Sequence, residues 1–150
     1  MYDSTEDTKA HIRRVQQLAA KFAEMLNLQT AVHDFSKLYP PEKEVFDEFT
    51  PKLKDSTYGS EEYKGFLVSM KPALDRHYTQ NRHHPEHFKN GVNGMDLIDL
   101  IEMYCDWKAA TERHANGSME KSIQHNAVRF DVGPQLTSIF ENTRKSSTGW

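Results

Sequence analysis

Apolar residues recur every three or four positions through most of this chain, and nowhere with the alternation of a half-buried strand. Over residues 5–28 the stripe is Ile12, Val15, Leu18, Ala19, Phe22, Met25 and Leu26, with Thr5 or Asp7 placed to cap its start. His11 shares that stripe and is expected to point inward, while Arg13 and Arg14 lie to the side. A second, short helix is predicted over residues 29–38. Pro40-Pro41 stops it, and Pro41 suits the first turn of a third helix, to about residue 48, that presents Val45, Phe46 and Phe49. Residues 50–59 read as a loop broken by Pro51, Asp55, Ser56 and Gly59.

Ser60-Glu61-Glu62 then opens a longer helix through Tyr63, Phe66, Leu67, Met70, Leu74 and His77 to about Thr79, with Pro72 inside it as a kink or a division. Residues 80–94, with Pro85, Gly91 and Gly94, read as a short helical turn flanked by loop. The strongest helical pattern covers residues 95–114. There Leu97, Ile98, Leu100, Ile101, Tyr104, Cys105 and Trp107 wrap most of the circumference, so the helix should be central. Its polar strip of Asp99, Glu102, Asp106 and Arg113 spans only about 60° at the 3.6-residue period. Asn116-Gly117 ends it, Ser118 caps a helix through Ile123, Ala127, Val128 and Phe130, and a last helix starts at Pro134 and reaches about Asn142. The prediction is an all-α fold, a compact bundle of about six or seven helices forming one domain over residues 1–144, with a flexible tail over 145–150.

Composition narrows the classes. At 150 residues the chain can bury a sizeable core, and 27% charged residues is within the globular range. A net charge of −3 argues against a general nucleic-acid or acidic-membrane binder. One cysteine, Cys105, excludes an internal disulfide and a cysteine-based zinc site. The acidic start lacks the apolar core of a signal peptide, and no run reaches the roughly 18 apolar residues of a membrane span. The expectation is a cytoplasmic protein without a membrane partner, its oligomeric state open to a homo-oligomer.

Eight histidines are more than such a chain ordinarily needs, and their grouping carries the chemistry. In His33-Asp34-Phe35-Ser36-Lys37, an imidazole and a carboxylate can reach one cation from its rim, and Lys37, one turn beyond His33, can stand over the same spot. Alone the pair equally suits a hydrogen-bonded helix end. His11 precedes it, His77, His83 and His84 follow, and Asp106 closes the series. Imidazoles and carboxylates suit first-row divalent metals, and helices can converge them on an interior. The blander readings are a satisfied inward histidine for His11, a surface loop for His83, His84 and His87, and a solvated acidic strip for Asp106, with Asp99 competing for its place. Lys37, Arg14 and Arg82 read either as phosphate contacts or as solvated cations.

This order of early His, adjacent His-Asp and late Asp on a buried helix resembles the HD-domain superfamily of metal-dependent phosphohydrolases. The intervening histidines resemble its two-metal members, and His33-Asp34-x-x-Lys37 resembles its subgroup that includes cyclic-dinucleotide phosphodiesterases. The Gly-Tyr-Pro signature of those enzymes is missing, and the interval from His11 to His33 is short. The resemblance implies one or two divalent ions (Mn, Fe, Co, Ni, Zn or Mg) on His11, His33, Asp34, His83, His84 and Asp106. It further implies Asp34 and Lys37 as catalytic groups and Lys37, Arg14 and Arg82 as contacts to a small nucleotide whose phosphoester is hydrolysed. The same fold can host a di-iron oxygenase, or a catalytically silent metal- or nucleotide-binding protein. A pure interaction module without metal is the third alternative.

Overall fold

A computed structural model of the chain describes residues 2–57, 60–113 and 116–146. The fold is all-α: six α-helices and three short 3-10 turns, with no strand among the described residues. The chain divides into two units, residues 1–33 and 34–150. No helix among the described residues is long and apolar enough to cross a membrane.

The first unit is one helix, α1 (Thr5–Thr30). Its start is held by Asp3, whose Oδ1 accepts from the Thr5 backbone N–H at 3.0 Å and the Thr5 hydroxyl at 2.6 Å, rather than by a cap from Thr5 or Asp7. A lone helix has no core of its own. The stripe residues Ile12, Val15, Leu18, Phe22 and Met25 therefore keep 43–52% of their surface, and His11 is exposed rather than inward.

The helix expected over residues 29–38 does not form. Helix α1 runs on to Thr30, and turns follow, with His33 N–H on the Thr30 carbonyl at 3.1 Å. Asp34 then takes a left-handed conformation, φ 58°, which breaks the α ladder and which a short polar side chain tolerates. A 3-10 turn (Phe35–Leu38) follows.

In the second unit, α2 (Glu42–Asp55) continues into the first half of the predicted loop, with Pro51 inside it. Pro51 costs one ladder bond. Lys52 and Lys54 complement the negative end of the helix, and Phe49 packs on Phe66 at 6.1 Å between ring centres. Helix α3 (Glu61–Gln80) is capped by the Ser60 hydroxyl and is undivided by Pro72. Its buried residues Met70, Ala73 and His77 share one face, which turns His77 inward. Two 3-10 turns, Pro85–His87 and Gly91–Gly94, lead to α4. Gly94 is required by packing, since a Cβ there would meet that of Phe88 at 2.8 Å.

Helix α4 (Leu97–Glu112) opens with a reciprocal cap between Asp96 and Asp99. The predicted end at His114 lies outside the described residues, as do 147–150 of the expected tail. Helices α5 (Met119–Arg129) and α6 (Pro134–Ser146) complete the unit, α6 running four residues past the predicted end. Together with α4 they enclose an apolar core of Met103, Tyr104, Trp107, Met119, Ile123 and Phe140. Trp107 stacks on Phe130 and meets Phe140 edge-on at 5.5 Å.

Candidate metal centre

Four side chains of the second unit turn potential ligand atoms toward one point: Asp34, His77, His83 and His84, all within 4.8 Å of one another. Each arrives by a different local device. Asp34 comes from the left-handed turn before Phe35, and His77 from the buried face of α3. His83 and His84 come from the segment that Pro85 and its 3-10 turn terminate, extended at His84. His77 Nε2 lies 3.1 Å from Asp34 Oδ1 and 3.0 Å from His84 Nε2, and His83 Nε2 lies 3.4 Å from the same Asp34 oxygen. Ligand atoms on a first-row ion at about 2.0–2.1 Å stand about 3.0 Å apart at right angles and about 3.4 Å apart at tetrahedral angles. The observed spacings fall on those edges, so the donor set fits such an ion.

The opposite ring nitrogens face buried carboxylates. His77 Nδ1 is 3.1 Å from Glu42 Oε2, and His83 Nδ1 is 3.5 Å from Glu102 Oε1. Glu42 and Glu102 are 1% and 3% exposed. Backing an imidazole with an acid in this way directs its other nitrogen to a metal. Glu42 also accepts the Ser36 hydroxyl at 2.6 Å.

The electrostatics follow from this crowding. Burial, then the neighbouring His83 and His77, push the His84 imidazole down to about 2, so it is held neutral. Burial alone would raise the Asp34 carboxyl. The polar imidazoles of His77 and His83 beside it and the Lys37 ammonium reverse this and hold it well below the usual carboxylate range.

Of the residues expected from the sequence, Asp34, His83 and His84 are thus brought together. His77, singled out as a candidate but left outside the expected ligand set, stands at the centre. His11 and Arg14 are exposed on α1, Arg14 reaching Gln17 at 3.3 Å, and half-buried His33 ends the first unit. Asp106 belongs to no such cluster among the described residues. It stands one turn beyond Glu102, and its charge acts on His84.

Its competitor Asp99 is fully buried, gripped by Arg82 Nε at 2.9 Å and Nη2 at 2.8 Å and accepting the Asp96 N–H at 3.0 Å. Arg82 is therefore engaged in a structural fork and lies over Phe88. Lys37 bonds Asp34 Oδ2 at 2.6 Å and sits over the Phe46 ring. The two backing acids carried a signal in the sequence. Glu42 shares the helical face of Val45, Phe46 and Phe49, and Glu102 lies on a helix apolar nearly all round.

No curated protein and no solved structure matches the chain. A family model does match it over residues 1–146, and the chain belongs to that family, described as a family of unknown function, DUF5662.

Proposed function

We propose that this protein is a metal-dependent phosphohydrolase that cleaves a phosphomonoester or phosphodiester bond of a small nucleotide. The observation that carries the reading is the Asp34–His77–His83–His84 cluster, with donor atoms 3.0–3.4 Å apart. Three imidazoles and one carboxylate favour Zn²⁺, Co²⁺, Ni²⁺ or Fe²⁺ over Mg²⁺, which prefers oxygen donors and water. A divalent ion supplies two things at such a site: a polarised phosphoryl oxygen and a more acidic water.

The chain's own groups have separable tasks. Asp34 offers Oδ1 to the cluster while Lys37 holds Oδ2, so the carboxylate is oriented and ionised at neutral pH. The Lys37 ammonium, partly exposed beside the cluster, is placed to offset charge on a bound phosphate. Burial of His77 and His83 behind the cluster keeps water from their backing acids.

The test is elemental analysis of the purified protein followed by phosphate release from a panel of nucleotide mono- and diesters with Zn²⁺, Co²⁺, Mn²⁺ and Mg²⁺. Asp34→Ala should lose both metal and turnover, and retained turnover overturns the reading. A second reading, a nucleotide or metal binder without turnover, is favoured by one observation. Lys37 and Arg82, the cations near the cluster expected to meet phosphate, are both engaged by carboxylates. Tight nucleotide binding without hydrolysis under every metal would select it.

A further inference from the structure

Resting on the metal-binding part of that reading, we propose that Glu42 is a positioning residue: it keeps the His77 proton on Nδ1 and leaves Nε2 as the ring nitrogen that takes the ion. Counting hydrogens around His77 Nδ1 leads there. Three groups lie near this nitrogen: Asn81 Nδ2 at 3.0 Å, Ser36 Oγ at 3.1 Å and Glu42 Oε2 at 3.1 Å. A hydroxyl has one proton and a primary amide two. The Ser36 proton goes to Glu42 Oε2 at 2.6 Å. One Asn81 proton goes to the His77 carbonyl at 2.8 Å, and the other lies between Ser36 Oγ at 3.1 Å and Nδ1 at 3.0 Å.

A bare Nδ1 would set its lone pair against the Glu42 carboxylate oxygen at 3.1 Å. A hydrogen on Nδ1 turns that contact into a hydrogen bond that the Glu42 carboxylate accepts. Glu42 needs that donor as much as the ring needs the acceptor. At 1% exposure an under-bonded carboxylate would be costly, and among the described residues its other oxygen faces Arg76 Nε at 3.6 Å. With the hydrogen on Nδ1, the Nε2 lone pair lies 3.1 Å from Asp34 Oδ1 and 3.0 Å from His84 Nε2. One cation can take that lone pair together with the Asp34 oxygen and His84 Nε2. Glu42 therefore acts on the ion through His77 without touching it.

The proton is located by ¹⁵N NMR of histidine-labelled wild-type chain, metal-free and loaded with Zn²⁺. The expected result is a protonated Nδ1 at His77 in both states, with only Nε2 shifting on loading. An Nδ1 in the bare-nitrogen range overturns the proposal. Glu42→Gln should weaken Zn²⁺, measured by chelator competition, about 10–100-fold with helicity retained, and Glu42→Asp should recover part of the loss. Unchanged affinity in Glu42→Gln also overturns it. If the wild-type chain takes no Zn²⁺, the metal reading fails, while the nitrogen shifts of the metal-free chain still decide the proton's place. They decide it equally if the Gln variant does not fold.

Discussion

The second unit buries two unlike interiors. Between α4, α5 and α6 lie Met103, Trp107, Ile123 and Phe140, whose contacts are non-directional and whose burial is favourable whatever their exact neighbours. Around Asp34 lie the buried His77, His83, Glu42 and Glu102, where each atom is tolerable only with the right partner. Nearby Asp99 is as deeply buried, yet its network closes on itself through Arg82 and the Asp96 cap. The histidine cluster differs from both. It gathers imidazole nitrogens and a carboxylate oxygen at 3.0–3.4 Å, a donor set that could hold a metal ion. The apolar interior holds the fold, and the polar one could hold an ion.

The sharpest way to break that comparison is Ile123→Ala. Ile123 is 0% exposed, so the variant should lose about 2–5 kcal/mol of stability in urea unfolding and keep its full metal stoichiometry. A loss of metal there would join the two interiors. Next, free Zn²⁺ at a hundred times its dissociation constant should raise unfolding stability by about 2.7 kcal/mol, and a chelator should remove that gain. A metal-independent melting temperature would show that the cluster is closed without an ion.

The third effect is acid sensitivity of the metal-free chain. His84 is held down to about 2 against an ordinary 6.5, so between those values the unfolded chain binds a proton that the folded one refuses. Stability therefore rises with pH across that window and falls on acidification below 6.5, by at most about 1.4 kcal/mol per pH unit. Thermal melts from pH 7 to pH 5 should show a steeper fall for wild type than for His84→Gln, and equal slopes would contradict the crowding described here. The smallest effect is expected for Glu102→Gln. Its 3.5 Å approach to His83 is looser than the Glu42 contact, so Zn²⁺ affinity should drop toward the lower end of the about 10–100-fold range for backing residues. A larger loss than in Glu42→Gln would reverse the order of the two acids.

The 3.6-residue period alone determined that this chain is helical and where α4 lies, because that periodicity is a local property of backbone geometry. Of the residues expected to wrap α4, Ile98, Tyr104 and Trp107 are buried while Leu97 and Ile101 are exposed, and Asp99, Glu102 and Met103 are buried instead. Residue type marked Asp34, His83 and His84 as candidates for the same reason: ligand chemistry belongs to the side chain. Tertiary structure decided which candidates meet. A left-handed Asp34 replaced the expected helix and re-aimed its carboxylate, and the continuation of α2 through Pro51 accompanies a buried Glu42. His77 became central because Met70 and Ala73 share its buried face, and Arg82 claimed Asp99 for the start of α4. Convergence of residues more than forty positions apart depends on turns and packing that no local period encodes.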